Sequence, residues 1–88
     1  MGCADFYINI HTDNKLIDEI YEKLCFYDNF NVFNYFKNAN KIEIEGYFDN
    51  FLIANKILYS VLSFFSDEQD KIEIETLKKV ESLILIRN

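Results

Sequence analysis

Alternation of apolar and polar residues marks several short stretches of the chain as strands. In Asp5–His11 (DFYINIH) every second residue is apolar, as in a strand with one buried face. The word KIEIE alternates isoleucine with charged residues and occurs twice, at Lys41–Glu45 and Lys71–Glu75. A further stretch, Asn29–Phe36, is rich in aromatic residues and has apolar groups on both faces. These stretches predict four strands, the third continuing from the first KIEIE to Phe48.

Two longer stretches have apolar residues three or four positions apart, which is typical of amphipathic helices. The first runs from Lys15 to about Phe26 and follows Thr12–Asp13, where either side chain predicts an N-cap. The second follows Asp49–Asn50, where again either side chain predicts an N-cap, and it ends before the polar residues Ser66–Asp70. The predicted buried stripes are Leu16, Ile17, Ile20, Tyr21 and Leu24 in the first helix, and Ala54, Ile57, Leu58, Val61, Leu62 and Phe65 in the second.

The resulting element order is strand–helix–strand–strand–helix–strand within a single domain, residues 1–88. This is the order of the ferredoxin-like βαββαβ sandwich, an α+β fold with both helices on one face of an antiparallel sheet and strand order 4-1-3-2. A short C-terminal extension follows. Leu83–Ile86 (LILI) favours an extra strand, and a short helix capped by Thr76 is the alternative.

The repeated word has a consequence for the surface of this predicted sheet. The two KIEIE strands would flank the first strand, with the isoleucines Ile42, Ile44, Ile72 and Ile74 buried under the helices. The opposite face would carry the predicted partner-binding residues Glu43, Glu45, Glu73 and Glu75, with Tyr7, Asn9 and His11 between them. Two interpretations stay open: the polar residues only keep the sheet soluble and blunt its edges, or they bind a basic partner.

Aromatic residues cluster between the first helix and the third strand, and we expect most of them in the core. The second strand lies at an edge in the predicted order, however, and the helices cannot cover both of its faces. We therefore expect Phe33 and Tyr35 to be partly exposed, as a contact surface for a partner or for a second copy of the chain.

Charge narrows the classes of partner. Among 88 residues, 15 acidic and 9 basic side chains give a formal net charge of −6. This charge repels phosphates, so direct binding to nucleic acid or to an anionic membrane is disfavoured and a basic protein is favoured. The longest apolar stretch, Phe51–Phe65, contains Asn55 and Lys56 and is too short to span a bilayer.

The chain shows little catalytic chemistry. It has no nucleophile elbow, no glycine-rich phosphate loop and no HExxH motif, and its single histidine, His11, provides no metal-ligand spacing. Cys25 lies near the apolar stripe of the first helix and is predicted to be a core thiol. Cys3 and Cys25 form no CxxC pair, and with no secretory signal apparent we expect reduced thiols and a cytoplasmic location. We therefore expect no enzyme, no metal and no cofactor.

Two hypotheses of function follow. The first is a small acidic inhibitor, of the immunity or anti-defence type, that occupies the nucleic-acid-binding surface of a basic enzyme such as a nuclease. The second is a homodimeric ferredoxin-like module, with a small ligand at its interface. The abundance of Asn, Lys, Ile, Phe and Tyr is typical of a low-GC bacterium or its phage.

Overall fold

A computed structural model describes residues 4–79, which contain four strands and two α-helices. One short 3₁₀ turn precedes the second helix and longer 3₁₀ turns follow it. The elements are β1 (Phe6–His11), α1 (Asn14–Tyr27), β2 (Asn34–Lys37), β3 (Lys41–Gly46), a 3₁₀ turn (Phe48–Asn50), α2 (Phe51–Leu62), 3₁₀ turns (Ser63–Lys71) and β4 (Glu73–Lys78).

All neighbouring strands of the sheet are antiparallel, in the order β2-β3-β1-β4. Counted from the β4 edge, the same order is 4-1-3-2. The predicted α+β class and element order are confirmed, and α1 and α2 pack on this four-stranded sheet. Neither helix of residues 4–79 is long and apolar enough to cross a membrane.

The core lies between the sheet and the helices. Gly46 allows the close packing at one end, because a Cβ atom there would lie 2.8 Å from both Phe33 Cδ1 and Phe6 Cζ. The buried apolar residues of the core cluster are Phe6, Ile8, Ile10, Leu16, Ile17, Ile20, Leu24, Phe33, Ile42, Ile44, Ala54, Leu58, Val61, Leu62 and Phe65.

The two helices begin differently. Asp13 caps α1, since its Oδ1 accepts from the backbone N–H groups of Lys15 (3.1 Å) and Leu16 (3.0 Å), as one of the two predicted caps. The side-chain cap predicted for α2 is wrong: Asn50 precedes the helix but makes no such bond. The preceding 3₁₀ turn provides the helix start instead, because its own backbone bonds already turn the chain.

The second strand begins at Asn34, five residues later than predicted. Asp28 accounts for the delay. Its carboxylate accepts from the backbone N–H groups of Val32 (2.9 Å) and Phe33 (3.0 Å), which in a strand would bond to a neighbouring strand. Asn31 turns the chain between Asp28 and Val32 with a positive φ of 55°. Asparagine tolerates this conformation better than most residues.

The two KIEIE words are not equivalent in the structure. The first lies in β3, where Ile42 and Ile44 are buried, but the second straddles the start of β4, and Ile72 and Ile74 are only half-buried. The reason is that β4 is an edge strand paired only with β1 among the described residues. A helix capped by Thr76 is wrong, because β4 continues through Lys78. The predicted strand Leu83–Ile86 lies outside the described residues.

Candidate functional site

The face of the sheet opposite α1 and α2 carries most of the predicted site residues, and we call it the outer face. Alternate residues of each strand point to this side because side chains alternate across a strand. The outer face consists of Asn34 and Phe36 from β2; Lys41, Glu43 and Glu45 from β3; Tyr7, Asn9 and His11 from β1; and Glu73, Glu75 and Leu77 from β4.

The middle row of the outer face crosses all four strands. Asn9 lies directly opposite Glu43 on β3 and Glu75 on β4, and Phe36 lies opposite Glu43 at the β2 edge. The register thus places one carboxylate on each side of Asn9, although Glu43 and Glu75 are 32 residues apart in the sequence.

The remaining site residues form rows above and below this one. The upper row places Tyr7 between Glu45 and Leu77, and the lower row places His11 between Lys41 and Glu73. The structure therefore brings the four predicted glutamates and Tyr7, Asn9 and His11 together on one face.

The carboxylates of the outer face are only partly balanced by nearby cations. Lys41 Nζ lies 3.9 Å from Glu43 Oε1, and His11 Nε2 lies 3.6 Å from Glu75 Oε1. Glu45 and Glu73 have no ion-pair partner within residues 4–79. Such partly exposed pairs contribute little to stability, typically about 0–1 kcal/mol, so they do not hold the carboxylates firmly in place.

Asn9 is the most buried polar residue of the outer face, with 6% of its surface exposed. Its Nδ2 donates to Glu75 Oε1 at 3.4 Å, a long hydrogen bond. Its Oδ1 is buried and has no hydrogen-bond partner among the described residues. Leaving a buried acceptor without a donor typically costs about 1–3 kcal/mol. The centre of the face therefore has an unsatisfied acceptor flanked by two carboxylates.

The prediction that Phe33 and Tyr35 are at least partly exposed is wrong for Phe33. This residue is 5% exposed, and its ring centroid lies 6.1 Å from that of Phe6. Tyr35 is partly exposed, as predicted, but it lies on the helix side, where its ring centroid is 6.5 Å from that of Tyr21. Its hydroxyl donates to Asp28 Oδ2 at 3.1 Å. Burial and the nearby carboxylate raise the pKa of Tyr35 well above its usual range.

The side of β2 that carries Tyr35, which was expected to be exposed, faces the core instead. Tyr35 lies opposite Ile44, on the core side, while Phe36 lies opposite Glu43 and is 54% exposed. Pairing with β3 decides this, because a residue shares a face with the residue directly opposite it. Neither Phe33 nor Tyr35 therefore belongs to the outer face, and Phe33 is too buried to form the predicted contact surface.

Sequence reasoning missed two apolar members of the outer face, Phe36 and Leu77. Each lies at an edge of the sheet and is at least half exposed. Leu77 could have been found by continuing the alternation of the second KIEIE for two more residues. Phe36 had no comparable signal, because the β2 stretch is apolar on both faces.

Sequence reasoning also missed that the Asp5 carboxylate contacts the segments that follow β3 and β4. Its carboxylate accepts from the backbone N–H of Phe48 at 3.1 Å and lies 3.7 Å from Lys79 Nζ. Asp5 and Lys79 line a shallow depression of about 250 Å³ together with Tyr7, Leu77 and Lys78.

A separate aromatic surface lies near the end of α1. Phe26, Tyr27 and Phe64 line a depression of about 330 Å³ with Lys23, whose Nζ lies 4.7 Å from the ring centroid of Phe64. Most of the aromatic cluster is expected in the core, but its members Phe26 and Tyr27 are exposed. Cys25, predicted to be a core thiol, is also exposed. Cys25 and Phe26 are one and two positions after Leu24, the last buried residue of the α1 stripe, and therefore point away from that stripe.

Within residues 4–79 no three His, Cys, Asp or Glu side chains are placed to hold a metal ion. His11 and Glu75 form only a pair. Comparison of the chain with models of protein families, with curated proteins and with solved structures found no match.

Proposed function

We propose that this chain is a small acidic protein-binding protein whose outer face occupies a basic, nucleic-acid-binding surface of a partner enzyme. The observation that carries the proposal is the convergence of Glu43, Glu45, Glu73 and Glu75 on one face of the sheet, where Lys41 is the only lysine among the strand residues that the structure describes there. We further propose that the fold is the ferredoxin-like sandwich and that the protein acts in the cytoplasm, as an inhibitor of the immunity or anti-defence type.

The physical argument concerns both charge and shape. A basic cleft that binds nucleic acid attracts carboxylates held on a rigid scaffold, and attraction of this kind mainly raises the association rate. Strands hold the four carboxylates in rows, and neighbouring strands are about 4.8 Å apart. Phe36 and Leu77 at the two edges add apolar area that purely solvating residues would not provide.

The test compares two variants that remove the same number of charges. The outer-face variant replaces Glu43, Glu45, Glu73 and Glu75 by glutamine. The control variant replaces four exposed acidic residues elsewhere, as E19Q, E22Q, D67N and D70N. Both change the formal net charge from −6 to −2, so any difference between them reports on position and not on total charge.

The binding measurement uses a basic protein recovered with the wild-type chain from a bacterial lysate and then purified. The outer-face variant should bind this protein at least about tenfold more weakly, equal to about 1.4 kcal/mol, while the control variant stays close to wild type. Raising the salt from 0.1 to 1 M should weaken the wild-type complex, because the Debye length falls from about 10 to about 3 Å. A short DNA or RNA oligonucleotide should compete with the chain. Equal binding by both variants would refute the proposal.

A homodimer is the second candidate, and the exposed Phe36 on the edge strand β2 favours it. Two copies could pair along β2, which is the usual hazard of an unpaired edge. Salt separates the two candidates. Self-association of a chain with net charge −6 should strengthen with salt, because repulsion is screened, whereas binding to a basic partner should weaken. Light scattering at 0.1 and 1 M salt measures the first effect, and a mass of one chain at both concentrations would exclude the dimer.

A further inference from the structure

Asn9 has a position that its residue type does not favour. It lies in the middle of β1, which is paired on both sides, and asparagine is depleted in strands relative to β-branched residues. Its side chain is nearly completely buried although it lies on the outer face. The carboxylate of Glu75 contacts this side chain, and Glu43 lies directly opposite Asn9 on the other side. Asn9 thus brings neither strand propensity nor apolar contact to the sheet.

The hydrogen bonding around Asn9 is one-sided. Its Nδ2 donates to Glu75, but its Oδ1 has no donor among the described residues. Its two cross-strand neighbours are Glu43 and Glu75. An ionised glutamate carries hydrogen-bond acceptors and no donor. The middle row therefore presents three acceptor groups side by side, and a donor must come from outside the row.

We propose that the middle row is an arginine-binding site, in which the guanidinium of a partner arginine inserts between Glu43 and Glu75 and donates to Asn9 Oδ1. This inference rests on the proposed function, since it names the group of the basic partner that the outer face recognises. Arginine fits because its planar guanidinium has five N–H donors and can bond a carboxylate and an amide oxygen together. A lysine ammonium is a compact, strongly hydrated charge and is less suited to a row of acceptors.

Access to Asn9 requires that a flanking side chain moves aside. The side chains of Glu43 and Glu75 are 28% and 52% exposed, and their nearest cations lie at 3.9 and 3.6 Å. These contacts are longer than a charge-assisted hydrogen bond, so a guanidinium can replace them. The exchange gives Asn9 Oδ1 the donor that it lacks.

The experiment measures binding of two probes of equal charge, hexa-arginine and hexa-lysine peptides, by calorimetry at low salt. Wild type should prefer hexa-arginine by roughly tenfold, about the effect of one charge-assisted hydrogen bond. Asn9→Val removes the amide but no charge, so it should abolish this preference and leave hexa-lysine binding unchanged. The same variant should unfold at the same or a higher urea concentration than wild type, because valine favours strands and the unpaired acceptor is gone. A loss of stability would show that Asn9 is structural and overturn the inference.

The outcomes separate the inference from the proposed function. If the outer-face variant loses both peptides while Asn9→Val keeps the wild-type preference for arginine, the acidic face stands and the arginine site is refuted. Equal affinity of wild type for the two peptides refutes the arginine site in the same way. If the outer-face variant binds both peptides as tightly as wild type, or wild type binds neither, both ideas fail.

Discussion

Replacing Asp28 by alanine should be among the most destabilising single changes in this chain. Asp28 is 3% exposed, and its carboxylate accepts three hydrogen bonds: from Val32 N–H, from Phe33 N–H and from the Tyr35 hydroxyl. These bonds hold the loop between α1 and β2 and fix where β2 begins. Alanine would leave all three donors without their acceptor.

The size of the loss follows from the burial of each donor. The Phe33 N–H is buried and would lose about 2 kcal/mol, while the two part-buried donors would lose about 1 kcal/mol each, since water can reach them. The total, about 4 kcal/mol, is a large share of the roughly 4–13 kcal/mol expected for a domain of 88 residues. It corresponds to a drop in Tm of roughly 15–30 °C.

Urea unfolding followed by circular dichroism measures this loss, with an unchanged m value as the sign that stability alone has changed. Tyr35→Phe should lose about 1 kcal/mol, because it removes a single part-buried bond. Asp13→Ala is the matched control: it also removes an aspartate that accepts two backbone N–H groups, but at an exposed helix N-cap, at a cost of about 1 kcal/mol. If Asp28→Ala costs no more than Asp13→Ala, the argument from buried donors is wrong.

Two further predictions concern the core and Tyr35. Ile42→Ala should destabilise the chain by about 2–5 kcal/mol and Ile72→Ala by much less, because Ile42 is fully buried and Ile72 is half-buried. Equal losses of unfolding free energy in urea would contradict the non-equivalence of the two KIEIE copies. The raised pKa of Tyr35 means that the folded chain holds this proton more tightly than the unfolded chain. Its contribution is therefore complete below about pH 10 and is lost as the pH rises further, so wild type should lose stability more steeply above pH 10 than Tyr35→Phe; parallel curves would contradict this.

Local pattern was sufficient for the type and order of the elements and for most of the candidate site. Alternation identified β1 and β3, and the helical stripes identified α1 and α2, because burial of one face imposes a period that the residues must follow. The repeated KIEIE word placed Glu43 and Glu75 on one face before any pairing was known. Strand pairing then added only their order along each row.

Tertiary structure decided what depends on contacts between distant residues. The side of β2 that is buried follows from pairing with β3, because the stretch Phe33–Phe36 has an aromatic residue on each face and no charged residue to mark the outer one. Asp28 delays β2 through side-chain bonds that the apolar pattern does not record. Ile72 has a different burial from Ile42 in an identical word, since β4 has one neighbour among the described strands and β3 has two. The unpaired oxygen of Asn9 arises only where three strands meet, because each neighbour that register places beside it is also an acceptor.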